Sequence, residues 1–375
     1  RRQSLVSVSD ERYMALAISL GRRNLGQTSP NPSVGCILVK KNVIVGRGCT
    51  APNGRPHAET QALKQAGSAA KGATAYLTLE PCSHEGKTPP CAQALVKAGI
   101  KRAVIATIDP DMRVNGKGIS ILEAAGIEVK VGVLSDQASL DHAGFFYSQS
   151  EYRPWITLKL AASIDGKIAT KIGDSKWITG SSARHFVHYM RRKHDAIMVG
   201  SGTVNSDDPS LNVRELGTCI QPYRIVLSSN LEIPVKSNLT KTIQEQPVWI
   251  FHSSDASEER KSAWLGLGAN LFECQVDDFG ISIKDIMQKL SEKGITRLLC
   301  EGGGKLAASL LRSELVDEMV TFHGGLTIGA DGISSIGNLG ICSLNEAKRW
   351  RLDRTLSFGA EVLNIWHPTD KYKEI

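Results

Sequence analysis

The sequence predicts an α/β protein built from two domains. Its 375 residues exceed twice the ~150 of an ordinary domain. Predicted strands alternate with helices of about ten residues, which requires crossover connections and helices packed on a sheet. The alternation pauses at "YSQSEYRP" and restarts with the strand "WITLKLA". That pause places a boundary near 148–153, with domains at 1–150 and 151–375.

In the first domain, "DERYMALAISLGRRNLG" is a predicted helix with Met14, Ala17 and Ile18 on one face. "VGCILVKKNVIVGRG" reads as two strands joined around Lys40, Lys41 and Asn42. "HAETQALKQAG" is a helix capped by Gly67, and "ATAYLTL" a strand. "PCAQALVKAG" is a helix opened by Pro90 and closed by Gly99. "RAVIAT", "GISILEAAG" and "IEVKVGV" continue as strand, helix and strand. In the second domain "ARHFVHYMRRKH" and "IKDIMQKLSEKG" are helices, and "AIMVG", "RIVLS" and "VWIF" are strands. "RLLCEGGGKLAASLLRS" reads as strand, glycine turn and helix; "DEMVTFHG" and "EVLNIW" are late strands. No repeat or low-complexity tract interrupts the pattern.

Composition narrows the function classes. A 41% hydrophobic, 22% charged chain is globular, and no apolar run approaches the ~18 residues of a membrane helix. A net charge of +7 suits an anionic small molecule. It is not the concentrated basic block of a dedicated nucleic-acid binder, and no basic-aromatic interleaving appears. Eight scattered cysteines without a secretory leader fit free thiols in a reducing compartment. The first residue is Arg, so the N-terminus is expected to be trimmed or incomplete.

One constellation carries chemistry. "PHAE" places His57 and Glu59 at a helix start, and "EPCSHEGKTPPC" follows with Cys82 and Cys91. The cysteines could form a disulfide, clip a metal, or be unrelated thiols. A hydrolytic zinc site needs three protein ligands and an open position for water. His57, Cys82 and Cys91 supply one nitrogen and two thiolates. Helix N-termini near His57 and Cys91 are expected to favour thiolate at Cys91. Glu59, two residues past His57, can reach the water without binding the metal and can carry its proton to a leaving amine. This is the logic of the zinc deaminases, H-x-E followed by P-C-x-x-C. Here eight residues separate the cysteines instead of two.

With these motifs the chain resembles the bifunctional riboflavin-biosynthesis family, a diaminohydroxyphosphoribosylaminopyrimidine deaminase fused to a 5-amino-6-(5-phosphoribosylamino)uracil reductase. The long inter-cysteine spacing, "TSPNPSVGCILV" and "GRPHAETQAL" carry the deaminase half. "LKLAASIDGKIA", "GDSKWITG", "DAIMVGSGTV", "DDPSLNVR" and "CEGGGKLAASLL" carry the reductase half. The resemblance implies a cytidine-deaminase-like α/β/α domain followed by a dihydrofolate-reductase-like α/β domain. It implies Zn2+ on His57, Cys82 and Cys91, with Glu59 as proton shuttle and both activities intact. Asn31, His84 and Lys87 would contact the phosphorylated pyrimidine. Some members carry a histidine before the H-A-E helix where this chain reads "CTAPNGRP", so Thr50 or a neighbour must replace any contact it makes.

For the reductase half the resemblance implies NADPH. Ala161, Trp177, Thr203, Asp207, Ser229 and the run Gly303, Gly304, Lys305, Leu306, Ala307, Ala308 and Ser309 would line the cofactor. A glycine turn before a helix N-terminus suits phosphate. Lys159, Ser175, Arg191, Leu211, Arg214 and Glu301 would hold the substrate, with Arg191 and Arg214 as phosphate clamps. Lys159 would orient the ring-opened sugar, and Asp207 would contact ribose or help proton transfer. The expected enzyme is a cytoplasmic homo-oligomer with no nucleic-acid or membrane partner. Two alternatives stand beside it: a nucleic-acid deaminase with an appended binding domain, and a non-catalytic protein with a structural zinc clip.

Overall fold

The computed structural model describes residues 8–83, 89–110 and 115–369. The chain divides into two compact units, Arg1–Tyr152 and Arg153–Ile375.

The first unit contains helix α1 (Val8–Gly21), strands β1 (Gly35–Lys40) and β2 (Val43–Cys49), helix α2 (Ala58–Ala66), and strand β3 (Thr74–Leu77). It continues with α3 (Cys91–Lys97), β4 (Arg102–Ile105), α4 (Lys117–Ala124), β5 (Glu128–Val131) and α5 (Ser135–Ser150). The strand order is β2-β1-β3-β4-β5. β1 is antiparallel to β2 and β3, while β3, β4 and β5 are parallel. Lys41 and Asn42 both adopt positive φ, 49° and 63°, as a two-residue hairpin turn between twisted strands requires. Side chains alternate across the sheet. Cys36, Leu38, Leu77 and Ile105 pack with Ala58, Ala62, Leu95 and Leu122 of α2, α3 and α4. Ile37, Val39, Tyr76 and Val104 pack with Met14, Ile18 and Ala138 of α1 and α5. The result is the expected α/β/α layering. Gly48 lets α2 settle on β2, since a Cβ there would lie 1.9 Å from the Ala58 carbonyl oxygen. That contact sits one residue after His57.

The second unit contains β6 (Trp155–Ser163), β7 (Lys167–Ala169), α6 (Ser181–Arg192), β8 (Ala196–Gly200), α7 (Ser201–Asp207) and β9 (Tyr223–Leu227). Then come α8 (Asn238–Lys241), β10 (Val248–His252), α9 (Glu258–Gly266), β11 (Asn270–Glu273), β12 (Val276–Asp277), β13 (Gly280–Ile281) and α10 (Ile283–Glu292). The last elements are β14 (Arg297–Cys300), α11 (Gly304–Arg312), β15 (Glu318–Gly324), β16 (Ile333–Ser334), β17 (Trp350–Phe358) and β18 (Glu361–Pro368). The large sheet runs β11-β10-β9-β8-β14-β6-β15-β18-β17. It is parallel from β11 to β15 and closes with an antiparallel hairpin. Ile156, Leu158, Leu160 and Leu298 meet Ile286, Leu290 and Leu310 of α10 and α11. On other sheet positions Ile197, Val199, Val226 and Ile250 meet Leu239 and Trp264 of α8 and α9. Leu299, Val320 and Phe322 meet Ala183, Val187 and Met190 of α6.

Candidate active sites of the two units

In the first unit His57 is the N-cap of α2, and Cys91 is the first residue of α3. Pro90 sits one position earlier than its expected place inside the first turn, as the N-cap. The ligand atoms of His57, Cys82 and Cys91 lie within 4.8 Å of one another. The His57 Nδ1 is 3.4 Å from Cys91 Sγ and 3.8 Å from Cys82 Sγ. Tetrahedral zinc with bonds of about 2.3 Å to sulfur and 2.0 Å to nitrogen gives N···S edges of roughly 3.5 Å. The three donors therefore fit zinc in both chemistry and spacing.

The two thiols are not equivalent in their hydrogen bonding. The first N–H of α3, that of Cys91, donates to Cys82 Sγ at 3.3 Å. The donor of the helix terminus is thus spent on the other cysteine. The Cys91 thiol, then the His57 ring and this N–H, pull the Cys82 pKa down against its burial. Cys91, beside Cys82 and buried, is pushed up. Glu59 stands in the first turn of α2 with only 4% of its surface exposed. Burial raises its pKa, with the neighbouring Cys82 adding to the shift.

Asn31 donates to the Gly54 carbonyl at 3.0 Å and so props the loop that leads into His57. Thr50 is buried and its hydroxyl accepts the Val34 N–H at 3.0 Å. His84 and Lys87 lie outside the described residues. Glu80 is a site residue that sequence reasoning passed over. It is buried two residues before Cys82, and its carboxylate accepts N–H groups of Gly116 at 3.0 Å and Gly118 at 2.9 Å, with longer bonds from Asp109 and Ile119. It ties the start of α4 to the segment that carries Cys82. The one signal in the sequence is an acid directly before P-C, to which sequence reasoning gave no role.

The second unit holds a cleft of about 1120 Å³ at the carboxyl ends of its parallel strands, where open α/β sheets bind ligands. Lys159, Ala161, Ser175, Trp177, Arg191, Thr203, Asp207, Leu211, Arg214, Ser229 and Glu301 line it. Gly303, Gly304, Lys305, Leu306 and Ser309 join them from the glycine turn and α11. Ala307 and Ala308 do not line the cleft. They turn into the core, because a helix presents only one face to a cleft.

The cleft has a charged end. Arg191 forks onto Glu301, with Nε–Oε1 at 2.6 Å and Nη2–Oε2 at 3.0 Å, and its Nη1 donates to the Asn212 carbonyl at 3.0 Å. Arg191 is therefore engaged by protein. Arg214 is exposed and its guanidinium has no partner among the described residues. Burial pushes Glu301 up, but the Arg191 charge and bonds hold it below the ordinary carboxylate value. Burial depresses the Lys159 pKa, and the Glu301 charge offsets this only in part. Lys159 Nζ lies 5.8 Å from the Phe322 ring centroid and has no hydrogen-bond partner among the described residues. His188, Ser201 and Phe279 also line the cleft, and sequence reasoning did not find them.

A cluster of three donors that fits zinc in the first unit and a nucleotide-sized cleft in the second point to a class, a deaminase joined to a reductase in one chain. Comparison with known proteins agrees. The cytidine and deoxycytidylate deaminase zinc-binding region matches residues 7–107, and the RibD C-terminal domain matches residues 154–363. The riboflavin biosynthesis protein RibD of Aquifex aeolicus is 42% identical over 94% of this chain and 97% of its own length. A solved structure of Acinetobacter baumannii RibD is 37% identical, covers 96% of this chain and 99% of its own, and superposes with a TM-score of 0.85. The Thermotoga maritima diaminohydroxyphosphoribosylaminopyrimidine deaminase/5-amino-6-(5-phosphoribosylamino)uracil reductase is 32% identical over 96% of this chain and 98% of its own, with a TM-score of 0.84. The chain belongs to the riboflavin biosynthesis protein RibD family and is a bifunctional deaminase and reductase. Its cofactors are zinc and NADPH. The relatives carry this reading and not that of a nucleic-acid deaminase.

Proposed function

We propose that His57, Cys82 and Cys91 hold the zinc and that Glu59 moves the proton. The spacing of the three donors carries the reading. When bound, zinc supplies the Lewis acidity that makes a water nucleophilic at neutral pH. Glu59 takes a proton from the attacking water and delivers it to the departing amine, so that ammonia leaves the pyrimidine 5′-phosphate. Its burial beside the donors, with no cationic side chain paired to it among the described residues, supports that task. Asn31 shapes the loop before His57, and His84 and Lys87 contact the phosphorylated substrate.

In residues 151–375 the deaminated product is reduced from ribosylamino to ribitylamino. NADPH, when bound, supplies the hydride for the sugar C1′. Ala161, Trp177, Thr203, Asp207, Ser229 and the turn from Gly303 to Ser309 receive the cofactor, with Ala307 and Ala308 supporting it from behind. Arg214 clamps the substrate phosphate, while Arg191 and Glu301 form a fixed pair that shapes the pocket with Ser175 and Leu211. Lys159 is a half-buried ammonium without an acceptor among the described residues. Its depressed pKa makes it a ready proton donor to the ring-opened sugar end, and Asp207 contacts ribose.

No helix among the described residues is long and apolar enough to cross a membrane. All eight cysteines are free, which supports a cytoplasmic location. The absence of a basic block supports a small-molecule substrate and no nucleic-acid partner. β17 is a largely exposed edge strand, which supports a homo-oligomer. The test of the chemistry is one reaction with the pyrimidine substrate and NADPH. Ammonia release followed by NADPH oxidation is expected. NADPH oxidation without prior ammonia release would sink the order of steps.

A further inference from the structure

His188 is buried in the wall of the reductase cleft, and none of the assignments above gives it a role. It stands on α6 three residues before Arg191, on the same face of the helix. Its Nδ1 lies 3.1 Å from the Asn212 carbonyl oxygen and 3.3 Å from the Arg214 backbone nitrogen. A carbonyl only accepts and an amide N–H only donates, so Nδ1 serves one of them at a time. The Asn212 oxygen already receives Arg191 Nη1 at 3.0 Å. The Arg214 N–H has no other acceptor among the described residues. Leaving that amide orphaned costs more than a second bond to a satisfied carbonyl gains. Nδ1 is therefore the unprotonated acceptor and the ring proton sits on Nε2. Burial, then the charges of Arg191 and Arg214, hold the imidazole pKa below its ordinary value, in keeping with a neutral ring.

The rest of the loop is pinned independently. Leu211, buried and at φ 50°, has its carbonyl held by Gln246 Nε2 at 3.0 Å. Gln221 holds both the N–H and the carbonyl of Val213, at 2.8 and 3.1 Å. The bond to His188 is the last fixed point before exposed Glu215, which takes φ 64°.

We infer that His188 is a positioning residue for the reductase substrate: its Nδ1 fixes the backbone of Arg214 and so aims the guanidinium at the substrate phosphate. This rests on the proposed role of Arg214 as the phosphate clamp. Two variants separate the ring's functions. His188→Asn keeps an acceptor close to the position of Nδ1. His188→Gln carries its amide to the position of Nε2 and loses that acceptor.

The assay measures reductase KM and kcat with the phosphorylated substrate and with its dephosphorylated counterpart. His188→Gln raises KM for the phosphorylated substrate about tenfold, the scale of one lost buried hydrogen bond, and leaves kcat within about twofold. His188→Asn recovers most of that loss, and neither variant changes KM for the dephosphorylated substrate. Ammonia release and NADPH affinity, measured by fluorescence titration, report that both units remain folded. Arg214→Ala is the control for the underlying reading, and it abolishes the preference for phosphate. If Arg214→Ala keeps that preference, the clamp fails and this inference with it. If Arg214→Ala abolishes it while the Gln and Asn variants behave alike, only the role of His188 is overturned. Loss of NADPH affinity in His188→Gln would make the residue structural and would also overturn the inference.

Discussion

Gly118→Ala is expected to damage the zinc site although Gly118 is not a ligand. A Cβ at this position would lie 2.1 Å from the Pro81 carbonyl oxygen and 3.1 Å from Glu80 Oε1. An ordinary C···O contact is about 3.3 Å, so the backbone must part by about 1 Å. Neither side gives easily. Gly118 donates its N–H to Glu80 at 2.9 Å, and Pro81 is bonded to Cys82. Metal–ligand distances tolerate only about 0.2 Å, so a shift of that size carries Cys82 Sγ out of register with His57 and Cys91. Outer-shell changes of this kind weaken metal affinity about 10–100-fold, and overpacking costs about 1–3 kcal/mol of stability. Zinc affinity is read by titration against a competing chelator, ammonia release reports function, and NADPH oxidation on the deaminated substrate is the internal control. Zinc affinity, ammonia release and unfolding midpoint all equal to those of the unmodified chain would refute the argument that this close approach sets Cys82.

Glu59→Gln lowers ammonia release by about 10²–10⁴-fold while zinc content and NADPH oxidation are retained; loss of zinc in this variant would contradict a proton-transfer role. Removing zinc with a chelator abolishes ammonia release and leaves NADPH affinity unchanged, as equilibrium titration before and after chelation will show. Asp10 is buried and accepts from Arg102 at 2.9 and 3.0 Å, Lys130 at 3.1 Å and Tyr76 at 3.0 Å. Arg102, followed by Lys130 and Tyr76, holds its carboxyl well below the usual range despite burial. Asp10→Asn therefore costs about 2–4 kcal/mol at neutral pH. A carboxyl whose folded pKa lies below its unfolded value of about 3.9 contributes fully above that value and loses its contribution as pH falls through the folded pKa. Urea unfolding should show the two proteins converging in acid, and a gap that stays constant with pH would contradict the assignment.

Much of the deaminase unit was legible because its signals are local. Asn42 after two lysines marks the hairpin turn, and Gly67 ends α2 with φ 52°. Helix α5 was missed for a physical reason. Its buried residues are small or polar, Ala138, Ser139, His142, Ala143 and Gly144, so no stripe of large apolar side chains stands out. Helix α7, "SGTVNSD", is seven residues with Val204 as its one buried residue, too little for periodicity to register.

What the sequence by itself determined was the set of candidate donors. H-A-E, P-C and P-P-C name one nitrogen, two sulfurs and a carboxylate, because metal chemistry selects residue types and helix starts are written locally. The two-unit plan was legible in the pause at "YSQSEYRP", and the family resemblance named most of the residues that line the reductase cleft. Only the tertiary structure decided how those residues divide their bonds. It gives the Cys91 N–H to Cys82, pairs Arg191 with Glu301 and leaves the Arg214 guanidinium open among the described residues. It sets Glu80 under the metal segment and His188 behind the Arg214 backbone. These pairings join residues up to 110 positions apart. A hydrogen bond depends on distance and direction in space, and no local pattern in a chain encodes either.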